Sequence, residues 1–209
     1  MPTVSNAEQQ SEEWFQARLG CATGSRFNDV IAKTRSGYST SRKNYAVELA
    51  LEIITGTRQD FYQSSAMAWG SETEPVARLE YELITGNEVE ETGFWKHDIL
   101  PIGASPDGLV NKDGLLEIKC PNSATHLETL ISGKVPRQYV AQVQGQLLIT
   151  ERDWADFVSY DPRMPENAKI KIIHVERDET YIKELIYELE EFVKEVDEQV
   201  QFIKPYYPL

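Results

Sequence analysis

The stretch from Ser105 to Cys120 reads SPDGLVNKDGLLEIKC and predicts the central feature of the fold. An Asp-Gly pair between two apolar runs is typical of a β-hairpin. We therefore expect one strand to end at Val110, a turn over residues 111–114 and a second strand over residues 115–119.

Three charged side chains would meet at this hairpin. Side chains alternate between the faces of a strand, so Glu117 and Lys119 would share one face while Leu116 and Ile118 take the other. Asp107 would enter beside them from the preceding segment. Two carboxylates and an ammonium group at one place outline a metal-dependent hydrolytic site.

These residue types suit phosphodiester hydrolysis assisted by Mg²⁺. A hard cation prefers oxygen ligands, which Asp107, Glu117 and the backbone carbonyl of Ile118 could supply. Lys119 could hold or deprotonate the attacking water, or stabilise the developing charge. The plain alternative is a solvated hairpin with an incidental Glu-x-Lys pair. The apolar strand around Glu117 and Lys119 favours a functional reason, because half-buried charges are costly.

The composition is that of one globular domain over residues 1–209, with 41% hydrophobic and 26% charged residues. No run of about 20 apolar residues is present, which argues against a membrane protein. Two cysteines and no secretory signal indicate a reduced, cytoplasmic protein. The net charge is −13, which argues against unspecific DNA binding over the whole surface. The segment from Trp14 to Tyr45 is locally basic and could line a groove or channel, with ordinary variation of surface charge as the alternative.

The rest of the chain predicts helices around a central mixed sheet, that is, an α/β or α+β fold. Helical signals mark residues 11–19, 23–32, 45–55, 75–85, 137–148 and 181–204. Strand signals mark residues 89–97, 99–104, 154–160 and 170–175. Residues 1–10 are polar and are expected to be flexible. The helix over residues 181–204 is acidic with an apolar stripe, which predicts packing on the body of the domain.

The central motif is part of a wider resemblance. SPDG followed by LEIKCP resembles the PD-(D/E)xK nuclease motif, and in particular the phage lambda exonuclease family. The similarity extends to WFQARLGCATGSRFNDVIAKTRSG from Trp14, AMAWGSETEPVARLEYELITG from Ala66, YVAQVQGQLLIT from Tyr139, YDPRM from Tyr160 and VERDETYI from Val175. These blocks span most of the chain in a consistent order. The resemblance implies a restriction-endonuclease-like core.

The family resemblance also implies an activity. Such an enzyme requires Mg²⁺, with two ions expected and Mn²⁺ as a substitute, and digests one strand of double-stranded DNA from its 5′ end. It would release mononucleotides and leave a 3′-ended strand for a single-strand annealing protein. Members resembling lambda exonuclease form a ring-shaped homotrimer around DNA. A phage or prophage origin and the cytoplasm of a bacterial host are expected.

Two residues outside the hairpin would complete the catalytic set. The resemblance assigns Glu74 and Gln142 to the site formed by Asp107, Glu117 and Lys119. An ordinary carboxylate at a helix start is the alternative for Glu74. A polar helix surface is the alternative for Gln142, which belongs to a glutamine stripe.

A second group of residues would bind the terminal 5′-phosphate. The helix start at Thr23 and Ser25 offers free N–H groups to an anion, and Arg18 adds a planar guanidinium. The resemblance makes Arg18 and Ser25 part of such a pocket, with Thr23 and Ser105 as neighbours. A surface arginine and an ordinary helix cap are the alternative.

Three further residues would contact DNA by resemblance. Arg35 would reach into the minor groove, Met67 would lie at the point of strand separation, and Tyr139 lies one turn before Gln142. A solvated loop position is the alternative for Arg35, and core packing is the alternative for Met67.

Two other functions remain open from the residues. One is an endonuclease or junction resolvase on the same core, although no target-reading element is visible. The other is a non-catalytic adaptor that binds DNA ends, which the intact set of Asp107, Glu117 and Lys119 disfavours.

Overall fold

The structure, a computed structural model, describes residues 2–58 and 65–206 apart from the side chain of Met67. The described helices are Glu12–Arg18 (α1), Phe27–Ile31 (α2), Thr40–Thr55 (α3), Ser65–Thr85 (α4), Ser123–Ser132 (α5), Arg137–Thr150 (α6) and Glu179–Ile203 (α7). The described strands are Thr3–Ser5 (β1), Ala22–Thr23 (β2), Lys33–Thr34 (β3), Gly37–Tyr38 (β4), Val89–Glu90 (β5), Phe94–Lys96 (β6), Ile102–Ala104 (β7), Gly108–Val110 (β8), Gly114–Lys119 (β9), Trp154–Tyr160 (β10) and Ile170–Glu176 (β11).

A mixed sheet with the order β11-β10-β9-β8-β5 forms the centre of the molecule. Strands β9 and β10 are parallel, and the other neighbours are antiparallel. The predicted hairpin is β8 and β9, and Asn111 in its turn takes a positive φ of 50°. Asparagine tolerates this left-handed conformation better than most residues. The predicted fold, a mixed sheet flanked by helices, is confirmed.

The two faces of β9 pack against different helices. Leu116 and Ile118 lie in a buried cluster with Ala77 and Tyr81 of α4. On the opposite face, Leu115 packs in a cluster with residues of α6 and β10. The alternation predicted for this strand is therefore present, and the face that carries Glu117 and Lys119 is turned toward α6.

A smaller sheet with the order β1-β6-β7-β2 was not predicted. The strand expected over residues 89–97 is divided, because β5 joins the central sheet while β6 joins the smaller one. Gly93 lies between them, where an added Cβ would be 1.8 Å from the carbonyl oxygen of Ser5. This close crossing requires glycine and also pairs β1 with β6. Thr3–Ser5, in the segment expected to be flexible, therefore forms the strand β1.

Two predicted helices differ from the structure. The helix expected from residue 23 begins instead as a 3₁₀ turn over Gly24–Arg26, followed by the five-residue α2. The helix expected from Pro75 begins at Ser65, so Pro75 lies inside α4. Because proline favours the first helical position, the sequence predicts a helix start at Pro75 and places Glu74 outside the helix.

The long acidic helix α7 packs against a second part of the hydrophobic core, which is separate from the clusters around β9. Its stripe of apolar side chains is buried, namely Ile182, Leu185, Leu189, Phe192, Val196 and Val200. The stripe packs with residues of α2, α3 and α6. Arg42 of α3 is fully buried there and donates hydrogen bonds to Glu195 and to the carbonyl of Val30. Among the described helices, none has the length and apolar character needed to cross a membrane.

Candidate active site

Glu117 lies at the centre of the candidate site and is fully buried. Its Oε1 accepts a hydrogen bond of 2.5 Å from Nε2 of Gln142, and its Oε2 accepts one of 2.5 Å from Nε2 of Gln146. The ammonium group of Lys119 also contacts Oε1. Burial of a carboxylate is costly unless the charge is paired and hydrogen-bonded, and these three donors supply both.

Asp107 lies beside Glu117, at the start of the hairpin. Its Oδ2 accepts a hydrogen bond of 2.6 Å from the backbone N–H of Ile118. Burial, together with the charges of Glu117 and Glu74, raises the pKa of Asp107 well above its usual range. This clustering of carboxylates is typical of a site that binds a cation.

Lys119 supplies the positive charge in this cluster. Burial would lower the pKa of its ammonium group, but the charges of Glu117 and Asp107 outweigh burial and raise it. The Nζ atom also lies 5.3 Å from the ring centre of Tyr139. That ring stacks on Phe157 at a centroid distance of 5.7 Å. Tyr139 thus lies beneath Lys119 on a packed support.

Glu74 approaches the cluster from α4. Its pKa is raised by burial and by the charge of Glu117, which shows that the two carboxylates are neighbours. Arg78, one turn later on the helix, lies 3.6 Å from the Glu74 carboxylate. The predicted neighbourhood of Glu74 is therefore present, although its predicted position at a helix start is wrong.

The donor set is suited to a divalent metal ion. Among residues 2–58 and 65–206, no three His, Cys, Asp or Glu side chains are grouped so as to hold a metal. Mg²⁺ does not require such a cage, since it retains several waters and is commonly bound through one or two carboxylates and substrate phosphates. Asp107, Glu117 and the carbonyl of Ile118 offer oxygen atoms of this kind.

One cavity of about 690 Å³ connects predicted catalytic residues with the predicted phosphate pocket. Its lining includes Glu74, Lys119, Gln142, Gln146, Arg18, Thr23, Ser25 and Ser105. Residues from the first 25 positions therefore share a single chamber with residues from α4, β9 and α6. Sequence reasoning identified both groups by resemblance but had no means to show that they are adjacent.

Arg18 is fixed on one wall of this cavity by Trp14. The guanidinium carbon lies 3.7 Å from the centre of the Trp14 ring. The indole Nε1 in turn donates a hydrogen bond of 2.9 Å to Oγ of Ser105. Burial, and to a smaller extent the charge of Arg58, lowers the pKa of Arg18 to about 10. Arg18 is therefore cationic at neutral pH and available to an anion.

Thr23 and Ser25 lie on the same wall. The backbone N–H of Thr23 donates a hydrogen bond of 2.9 Å to the hydroxyl oxygen of Tyr45. The side-chain oxygens of Thr23 and Ser25 lie 3.5 Å apart. Thr23 precedes the 3₁₀ turn without capping it through its side chain, so its hydroxyl is not committed to a helix cap.

Two of the three predicted DNA contacts, Arg35 and Tyr139, are not among the residues that line this cavity. Arg35 is exposed in the turn between β3 and β4, and Tyr139 lies behind Lys119. The side chain of Met67 lies outside the described part of the chain. Arg58 and Gln146 are among the cavity residues that were not predicted to belong to the site. The spacing of Gln146, four residues after Gln142, was a usable signal.

The fold and the carboxylate–lysine cluster define a nuclease of the PD-(D/E)xK class. The pattern of the YqaJ-like viral recombinase domain matches residues 13–153, and the chain belongs to this family. The predicted resemblance to the lambda exonuclease family is thereby confirmed, as is the assignment to the nucleases.

Solved structures support the assignment over nearly the whole chain. The alkaline exonuclease LHK-Exo from Laribacter hongkongensis is 43% identical, with a TM-score of 0.87 over 94% of this chain and 97% of that one. A structure of LHK-Exo in complex with dAMP gives a TM-score of 0.88 at the same identity and coverage.

A viral protein is also similar in sequence. Uncharacterized protein R354 of Acanthamoeba polyphaga mimivirus is 28% identical over an alignment of 169 residues that covers 74% of this chain and 29% of R354. The chain therefore spans less than a third of that relative.

Proposed function

We propose that this protein is a Mg²⁺-dependent exonuclease that digests one strand of double-stranded DNA from its 5′ end and releases mononucleotides. The observation that carries this proposal is the single cavity that joins Arg18, Thr23, Ser25 and Ser105 to Glu74, Lys119 and Gln142. If the cavity binds the end of a DNA strand and also contains the residues that cut it, cleavage takes place at strand ends.

The acidic cluster would hold the metal. Asp107, Glu117 and the backbone carbonyl of Ile118 would be its ligands, with Glu74 close by. The bound metal supplies an activated water and neutralises charge on the phosphate oxygens. Two ions are proposed, because carboxylates from both β9 and α4 face the same place, and Mn²⁺ would substitute because it prefers the same oxygen ligands.

Lys119 and Gln142 would act directly on the reacting groups. The ammonium group of Lys119 would donate hydrogen bonds to the attacking water or to the oxygen on which charge develops. Gln142 lines the cavity and would orient water or substrate beside Glu117. Both side chains are held by the Glu117 carboxylate, so their positions are set before substrate arrives.

The wall formed by Arg18, Thr23, Ser25 and Ser105 would bind the terminal 5′-phosphate. A guanidinium group and hydroxyl groups are the donors that a phosphate monoester needs. The crystal structure of LHK-Exo in complex with dAMP is consistent with a nucleoside monophosphate as product. Arg35, in its exposed turn, would contact the duplex outside the cavity, and Tyr139 would support Lys119. The role proposed for Met67 is a contact at the point of strand separation.

The proposed biological setting follows from the family. The enzyme would leave a 3′-ended strand for a phage-type single-strand annealing protein and so serve recombination. A ring-shaped homotrimer would enclose the duplex. The proposed location is the cytoplasm of a bacterial host.

A duplex labelled at either end tests the activity. Linear DNA carrying a 5′ or a 3′ label is incubated with Mg²⁺, and products are followed over time beside a closed circular duplex. We expect prompt release of the 5′ label as mononucleotide, slow loss of the 3′ label and an intact circle. Release of the 3′ label first would overturn the polarity. Cutting of the circle would instead favour an endonuclease or resolvase.

Arg18→Ala tests the phosphate pocket separately. Its expected effect is a smaller preference for 5′-phosphorylated over 5′-hydroxyl ends, because the cation opposite the terminal phosphate is lost. The matched control is Lys112→Ala, which removes an exposed cation from the turn of the hairpin. An equal loss of rate on both kinds of end would count against the pocket.

A further inference from the structure

Glu117 is held by two glutamine side chains rather than one. Gln142 and Gln146 lie one turn apart on α6, so both point to the same side of the helix. Each directs Nε2 to a different oxygen of the Glu117 carboxylate, at 2.5 Å in both cases. The two amides therefore fix both the position and the rotation of the carboxylate plane.

The orientation of the Gln146 amide is set by its partner. An ionised carboxylate can only accept hydrogen bonds, so the amide must present its N–H group to Glu117. Its Oε1 atom then points away, is buried, and has no hydrogen-bond donor among the described residues. Leaving a buried acceptor without a donor destabilises a folded protein. An apolar side chain of similar size would avoid this cost but could not hold Glu117.

Gln146, with its unpaired buried oxygen, lies at the candidate active site. The side chain is 1% exposed and lines the same cavity as Lys119 and Gln142. We propose that Gln146 is a positioning residue that orients Glu117 for binding a divalent metal ion. This inference rests on the proposed function, because it takes Glu117 as a metal ligand. Groups that hold a metal ligand in place typically change metal affinity by about 10- to 100-fold when they are removed.

Gln144 on the same helix provides a matched control. It is also buried, at 4% exposed, but both ends of its amide are satisfied away from the cavity. Its Nε2 donates to the carbonyl of Glu176 at 2.9 Å, and its Oε1 accepts from the backbone N–H of Asp178 at 2.9 Å. Replacing Gln144 therefore disturbs packing and hydrogen bonding on α6 without touching Glu117.

The experiment measures Mg²⁺ binding to the DNA-free protein by calorimetry, with thermal melting as the control for folding. The variants are Gln146→Asn, in which the amide is one methylene too short, Gln146→Met, which removes the amide, and Gln144→Met. We expect both Gln146 variants to weaken Mg²⁺ binding by about tenfold or more. Gln144→Met is expected to lower the melting temperature with the Mg²⁺ affinity unchanged. The Mg²⁺ concentration for half-maximal digestion of DNA should rise in parallel for the Gln146 variants alone.

The outcomes separate the inference from the proposed function. Mg²⁺ binding within twofold of the unaltered protein in a folded Gln146→Asn or Gln146→Met variant would overturn the positioning role. An equal loss of affinity in Gln144→Met would also overturn it, because the effect would then be one of general packing. Absence of Mg²⁺ binding in the unaltered protein would instead overturn the proposed function, and with it the basis of the inference.

Discussion

Trp14 donates a hydrogen bond of 2.9 Å from its indole Nε1 to Oγ of Ser105, and this bond joins α1 to the segment that leads into the hairpin. The face of the same ring carries the Arg18 guanidinium at 3.7 Å. One buried aromatic side chain therefore sets the position of two residues on the proposed phosphate-binding wall.

Trp14→Phe should reduce the preference for 5′-phosphorylated ends by about tenfold, since it removes one hydrogen bond and weakens the cation–π contact. Digestion rates on phosphorylated and hydroxyl ends give this ratio directly. Trp95→Phe is the control, because the Trp95 indole donates a bond of 2.8 Å to Thr92 and is not among the cavity residues. An unchanged ratio in Trp14→Phe would show that the ring has no part in end selection.

Lys119→Ala should lose about a hundred- to a thousand-fold in cleavage rate, because a preorganised cation is removed from the place where charge develops. Binding to a DNA end should persist, since the proposed phosphate-binding residues remain. Single-turnover digestion and gel-shift titration measure the two properties. Lys112→Ala, in the exposed turn of the same hairpin, is expected to cut at the normal rate. Near-normal cutting by folded Lys119→Ala protein would remove this lysine from the mechanism.

The lowered pKa of the Asp161 carboxyl group predicts that the free energy of unfolding depends on pH. Burial would raise the pKa of its carboxyl group, but hydrogen bonds from Arg163 and Ser123 outweigh burial and lower it to about 2. The folded-state pKa thus lies below the value of about 3.9 for an unfolded aspartate. Such a group stabilises the fold fully above about pH 4, by about 2 kcal/mol, and this contribution is lost as the pH falls toward about 2.

Urea unfolding of Asp161→Asn against the unaltered protein checks this dependence. The difference in the free energy of unfolding should be largest near pH 6 and should shrink below about pH 4. Asp113→Asn, in the exposed hairpin turn, is the control. A difference between Asp161→Asn and the unaltered protein that is constant from pH 6 to pH 3 would contradict the assigned pKa.

Arg42→Met should lower the free energy of unfolding by about 2 kcal/mol, because it removes a buried guanidinium and its hydrogen bonds to Glu195 and to the carbonyl of Val30. The guanidinium is fully buried, bonds Glu195 at 2.8 Å and lies 3.8 Å from the centre of the Tyr38 ring. Urea unfolding measures the loss, with Lys43→Met as the exposed neighbour. Equal stabilities of the two variants would show that the buried network contributes little.

The sequence predicted those features that depend on local pattern. The hairpin followed from Asp113-Gly114 between apolar runs, and the burial of α7 followed from its apolar stripe. The placement of Glu117 and Lys119 on one face of β9 followed from strand alternation. These features depend on neighbours along the chain, which a sequence displays directly.

Features that depend on distant contacts were missed or were known only through resemblance. Gly93 is a crossing point because the carbonyl of Ser5 lies against it, and nothing near Gly93 in the sequence indicates that contact. Gln146 belongs to the site because its amide reaches Glu117 on another element. Pro75 misled the helix prediction because proline favours the first turn of a helix, whereas in this fold it lies inside α4.

The hydrogen bond between Thr23 and Tyr45 determines when, during synthesis of the chain, this part of the cavity wall can form. Thr23 is bonded to the Tyr45 hydroxyl, and the Tyr45 ring stacks at 5.2 Å on Phe192 of α7. A growing chain contains Thr23 and Tyr45 long before Phe192, so this part of the cavity wall takes its final form only after α7 has been translated. A ribosome-stalled chain that ends before Glu179 and yet degrades duplex DNA would disprove this. We therefore expect a chain that lacks α7 to be inactive on DNA ends, so that nuclease activity would begin only when synthesis is nearly complete.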